Sequence, residues 1–145
     1  SDGSWTPLWF GDQDAKDERS PVYGTAMAVE YLSTSRNPLA RKLAENGLRY
    51  LLDSQNEDGG WGGAPKVASK ITLTARALSA LASYPESDLK SMERGFDYLY
   101  GMYQSGLLFR PEPIGLYFAR LWYSEELYNH TFVLNALKKL KQRIK

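Results

Sequence analysis

A chain of 145 residues with 43% hydrophobic content is long enough to bury a real core as one domain. Its net charge of +1 carries no electrostatic footprint for nucleic acid, so no nucleic-acid partner is expected. The absence of cysteine excludes disulfides and thiolate metal sites, and the single histidine excludes a multi-histidine site within the chain, so no metal and no cofactor are expected.

Residues 1–20 read as loop. Trp5, Trp9 and Phe10 cluster around Pro7, and three exposed aromatics so close together would make a sticky patch, so burial is expected for them. Asp12 to Arg19 is a charged run that reads as a solvated loop. Asp12-x-Asp14 does not continue as a calcium loop, which would need glycine at Asp17 and a bidentate glutamate at Tyr23. Ser20-Pro21 then starts a helix to about Ser33, with a capping hydroxyl followed by proline at the first helical position. Asn37-Pro38 repeats the signal for a second helix to about Ser54. Asn56 to Gly60 is a polar turn ending in two glycines, which take positive φ without steric cost. A third helix spans about Lys70 to Ser83 and stops before Pro85. A fourth runs from about Ser87 to Tyr103. After the Gly106 to Pro113 connection, a last helical region is expected from about Ile114 to the basic end, bent near Ser124. His130 reads as an ordinary packed or surface residue. The tail Lys138-Lys139-x-Lys141-x-Arg143-x-Lys145 suits a helix C-terminus by its dipole. No apolar run approaches the ~20 residues of a membrane-spanning helix.

The turn between the second and third helices organises this pattern. Gln55 stands where a helix should stop, and its amide can serve orphan backbone groups there while bonding a neighbouring element. Trp61 follows the glycines and offers a large flat face to cover that amide. Small residue, aromatic, aliphatic, glutamine and Gly-x-Trp, here Gly47, Tyr50, Leu51, Gln55, Gly59 and Trp61, resemble the QW repeat of the triterpene cyclases, which include squalene-hopene and oxidosqualene cyclases. In that family the repeat ties barrel helices together and does no chemistry. Asp2-Gly3-Ser4-Trp5 looks like the tail of another copy, which suggests a piece of a longer chain. An internal repeat agrees: Ser20 to Ala26 parallels Ser69 to Ala75, and Gly47-x-x-Tyr50-Leu51 parallels Gly95-x-x-Tyr98-Leu99, with Gln104 near the place of a second glutamine. A repeating helix pair suggests an α/α solenoid or barrel, all-α and without a sheet, of which five or six helices would form about half.

The end of the chain strengthens the resemblance. Ile114 to Tyr128, followed by His130, Phe132, Ala136 and Leu137, resembles the C-terminal end of bacterial squalene-hopene cyclase-like proteins. So does the order of Asp2-Gly3-Ser4-Trp5, Trp9-Phe10-Gly11 and Tyr23-Gly24-Thr25. The resemblance covers nearly the whole chain and implies the C-terminal part of an (α/α)6 barrel, residues 1–145 being a single domain of it. It implies acid-initiated cyclisation of a polyene to a polycyclic triterpene, in which a protonated aspartate of an Asp-x-Asp-Asp motif protonates an alkene and aromatic faces stabilise the cation. That motif is absent here, and Asp12-Gln13-Asp14-Ala15 is no substitute. This stretch is therefore expected to supply cavity aromatics and no catalytic acid. By position in the family pattern the candidates are Trp9, Tyr23, Tyr117, Trp122, Tyr123 and Tyr128. The arginine expected before the cavity tryptophan is Leu8. The implied partners are an isoprenoid substrate and the remainder of the barrel, with a membrane surface open to the longer protein. The isolated stretch is expected to self-associate as a homodimer through faces the barrel would otherwise cover. A cyclase of this kind would be cytoplasmic or peripheral to a membrane. The alternative is a non-catalytic helical-repeat module used for binding or assembly. The lack of cysteine excludes the zinc site of the prenyltransferase barrels.

Overall fold

Ten of the thirteen residues between Ile71 and Ser83 are buried, and the other elements arrange themselves around that helix. The computed structural model describes residues 2–144. Its helices are α1 (Pro21–Leu32), α2 (Pro38–Asp53), α3 (Ile71–Ser83), α4 (Leu89–Gln104) and α5 (Glu126–Ile144). Three short strands accompany them: β1 (Phe10–Gly11), β2 (Pro113–Leu116) and β3 (Leu121–Ser124).

Helix α3 is apolar or small nearly all round, as a helix must be when it has neighbours on every side. It packs against α1 on one flank, α5 on the other, and α4 behind. Helix α2 covers α1 in the same way and touches the edge of α3. So α1, α3 and α5 form one layer while α2 and α4 form a second, the inner and outer layers of an α/α arc. The core runs along their seam through Val22, Val29, Leu51, Trp61, Leu78 and Leu81, none of which is exposed.

The helix boundaries follow from local chemistry. Asn37 caps α2 by accepting a hydrogen bond from Leu39 N–H, and Asp88 caps α4 by accepting from Ser91 N–H. Two starts differ from expectation. Ser20 holds the N-cap position of α1, but its hydroxyl makes no cap and is buried without a partner. The Val22 N–H donates instead to Gly63 O, so a loop carbonyl replaces the side chain. Helix α3 takes its cap from far along the chain. The Glu112 carboxylate accepts from Ile71 N–H, Thr72 N–H and the Thr72 hydroxyl, all between 2.8 and 2.9 Å.

The expectation of no sheet fails, although the fold remains chiefly helical. Residues 114–124, read as helix, form β2 and β3, paired antiparallel with Gly115 opposite Trp122. The connection is a 3-10 turn at Tyr117–Ala119, with Arg120 at φ +48°. Strand β1 pairs with the other side of β2, Phe10 opposite Leu116. Ile, Trp and Tyr favour a pleated, half-buried surface. Gly115 lets the strands close, since a Cβ there would come 2.0 Å from Leu121 O. Helix α5 begins only at Glu126.

The charged run is not a freely solvated loop either. Asp12 is 1% exposed; its carboxylate accepts from Gly63 N–H, Asp14 N–H and the Lys70 ammonium. Lys70 also pairs with Asp14 at 2.7 Å. The basic end of α5 is likewise partly turned inward. Lys139 pairs with Glu30 of α1 at 2.5 Å and donates to the Ser83 hydroxyl, and Arg143 donates to Pro85 O. Lys145 lies outside the described residues. His130 is packed as expected, stacked on Phe109 with its Nδ1 against Glu126 O.

Candidate functional site

The turn after α2 is built from the residues singled out in the sequence, with the labour divided differently. The Trp61 indole is fully buried and donates through Nε1 to Leu51 O at 2.7 Å, an otherwise weakly used carbonyl in the last turn of α2. Its backbone N–H donates to the Thr74 hydroxyl of α3. Gln55 serves the neighbour: its Nε2 donates to Gly59 O and to Ser91 O of α4, and its Oε1 accepts from Arg94. Gly59 has φ +86°, and a Cβ there would stand 2.4 Å from Arg94 O. Tyr50 is buried.

The same joint occurs at the start of the chain. Trp5 N–H donates to the Thr25 hydroxyl of α1, as Trp61 N–H does to Thr74. Gly3 has φ +85° and faces Asn46 O as Gly59 faces Arg94 O. The Trp5 ring lies over Gly47 of α2, and the Trp61 ring over Gly95 of α4, where a Cβ would meet them at 2.7 and 2.8 Å. Each tryptophan thus stitches an inner helix to an outer one. The third copy is not completed: Gln104 is exposed and α4 simply ends.

The cavity candidates divide into two groups. Tyr23 on α1, Tyr123 on β3 and Tyr128 on α5 come together on one side of the inner layer. The Tyr123 and Tyr128 hydroxyls lie 3.4 Å apart, and that hydrogen bond, then burial, pushes the Tyr128 phenol up to about 12. Tyr128 stacks on Phe132 at 5.2 Å, and Tyr23 meets Phe10 at 5.7 Å. Trp9, Tyr117 and Trp122 belong to the sheet instead. Tyr117 N–H donates to Trp9 O, and the Trp9 side chain is 57% exposed. Trp122 is half-buried and points to the opposite face from Tyr123, as successive strand residues do. Phe10 and Phe132 join the wall without having been singled out for it.

One member of the wall was not foreseen at all. Arg76 of α3 lies between these rings, its guanidinium carbon 3.7 Å from the Phe132 centroid and 5.6 Å from that of Tyr23. A lone arginine in a helix of otherwise apolar or small residues gave no functional signal by itself.

The model of the squalene-hopene cyclase C-terminal domain matches residues 2–142. The chain belongs to that family. Relatives include ent-copalyl diphosphate synthase from Streptomyces sp. (strain KO-3988), 23% identical over 135 residues, which are 93% of this chain and 23% of that protein. Copalyl diphosphate synthase from Streptomyces cyslabdanicus is 31% identical over 86 residues, 59% of this chain and 14% of that protein. The chain therefore spans less than a quarter of the length of either relative.

Proposed function

We propose that this chain is the C-terminal portion of a larger α/α barrel, and that it forms part of the wall of a cavity where an isoprenoid polyene is cyclised after protonation of an alkene. The observation that carries this reading is the convergence of Tyr23, Tyr123, Tyr128, Phe10 and Phe132 on one side of the inner layer. An aromatic face attracts a cation by about 2 kcal/mol or more once water is excluded. A wall of such faces can follow a positive charge along a folded hydrocarbon without offering a nucleophile. The proton comes from outside this stretch. Asp12 and Asp14 are engaged by Lys70 and are not free to supply it. Trp61 and Trp5, as QW-type joints, hold the wall without taking part in the chemistry.

The resemblance to squalene-hopene cyclases favours a triterpene substrate, whereas both named relatives are synthases of a diphosphate. The assay that decides is incubation of the full-length protein with squalene and, separately, with geranylgeranyl diphosphate, followed by product analysis. A cyclised product from either supports the reading, and the isolated chain is expected to give none. No product from the full-length protein on either substrate, or product from the isolated chain, would sink it. The rival reading, a non-catalytic helical module, draws on the absence of Asp-x-Asp-Asp and on Leu8, which is 78% exposed where the family pattern has an arginine. Absence of the acid motif from the complete gene would favour that rival.

A further inference from the structure

A permanent cation in the proposed wall poses a problem. A guanidinium is a permanent cation, and a second positive charge developing beside it would be repelled. The other interior cations each have an oxygen partner, Arg143 through Pro85 O although its Nε is buried without one. Lys70 has Asp12 and Asp14, Lys139 has Glu30, and Arg94 has Gln55 Oε1 and the Asn56 and Glu57 carbonyls. Arg76 forms no ion pair or hydrogen bond to protein among the described residues, and its Nε is buried without a partner. The carboxylates along its own helix are already engaged. Glu112 caps α3, and Glu30 is held by Lys139 and the Ser79 hydroxyl. The Phe132 ring lies 3.7 Å from the guanidinium carbon and takes up none of its N–H donors as a conventional hydrogen bond.

A guanidinium has five donors in a rigid fork whose spacing matches two oxygens of a phosphate or carboxylate. Lying against a ring, short of acceptors and set among aromatic faces, it lacks only an anion. We infer that Arg76 is the anion-recognition residue of this wall and takes the diphosphate end of a polyprenyl substrate, the bound anion cancelling the charge that would oppose a carbocation. This rests on the cavity reading above and names the substrate class within it: an isoprenoid carrying a diphosphate and not a bare hydrocarbon.

The test is calorimetric titration of the full-length protein, wild type, Arg76→Gln and Arg76→Lys, with geranylgeranyl diphosphate, geranylgeraniol and inorganic diphosphate. Circular dichroism melts of each variant establish that it is folded. The expected result is that Arg76→Gln weakens geranylgeranyl diphosphate by about tenfold or more. Geranylgeraniol binding should be unchanged, and Arg76→Lys should recover part of the loss. Inorganic diphosphate should follow the same order at lower affinity. Equal weakening of the alcohol would make Arg76 a packing residue and overturn the inference, as would unchanged binding of both diphosphates in Arg76→Gln. Squalene cyclised by wild type and Arg76→Gln alike, with no binding of geranylgeranyl diphosphate, overturns it while leaving the cavity reading intact. Arg76-dependent diphosphate binding in a protein that cyclises nothing supports it and removes the cavity reading.

Discussion

Trp61 does two jobs with one side chain. It fills the seam between α2, α3 and α4, and its indole N–H occupies a helix-end carbonyl. Trp61→Phe removes the donor and part of the volume together, so the expected loss is about 2–4 kcal/mol by urea denaturation. A loss under about 0.5 kcal/mol would mean that the joint is not where the stability lies. Lys70 is a different kind of anchor. Burial alone would lower its pKa, but the hydrogen bonds to Asp12 and then Asp14 outweigh burial, and the net direction is upward. Its contribution to stability is therefore complete below the unfolded lysine value of about 10.4 and fades as pH rises through the higher folded value. Lys70→Met leaves the Asp12 carboxylate buried and uncompensated, at a cost of about 3 kcal/mol. The gap between wild type and Lys70→Met should narrow above about pH 10.4. A gap independent of pH up to 11.5 would argue that the lysine acts by packing alone.

Among the elements, α3 depends most on a residue outside itself. Glu112 supplies its N-terminal cap from the segment leading into β2. Glu112→Ala should cost about 1–2 kcal/mol, with Glu112→Gln losing less because it keeps an acceptor. Thermal melts of the two variants rank them, and equal melting would remove the cap from the account. This dependence marks the boundary of what the sequence could disclose. Helix starts written in adjacent residues, Ser20-Pro21 and Asn37-Pro38, were legible, and so was the glycine-tryptophan turn. The cap of α3, the burial of Asp12 and the pairing of β1 with β2 each join residues far apart in the chain, and no local pattern announces them. Ile114 to Ser124 was misread for the same reason. Its apolar residues fit a helix stripe as well as a strand, and the partner that decides, Phe10-Gly11, lies at the other end of the chain. Of the candidate site, the tyrosines could be named from the resemblance. Arg76, which forms no ion pair among the described residues, could not.

Considered as a whole, the molecule is an arc with uncovered edges. A groove of about 620 Å³ between α4 and α5 is lined by Leu89, Met92, Phe96, Leu137, Leu140 and Ile144. Apolar surface of this kind recruits a partner, and a two-fold axis lets one face cover itself. The isolated chain is therefore expected to sediment as a dimer whose share grows with concentration, and Phe96→Glu should shift it back toward monomer. A single monomeric species at high micromolar concentration would end that expectation. The sheet carries a further consequence at this scale, one of timing. Joining Phe10 to Leu116 closes a loop that contains α1 to α4. Loop-closure entropy must be met before that pairing is rewarded, so the helix pairs should form first and the sheet last in refolding. The same order runs in reverse in the native state. The amides of β1 and β2 should exchange with solvent by local opening well before those of α3, so the rim of the arc can part while its frame stays shut.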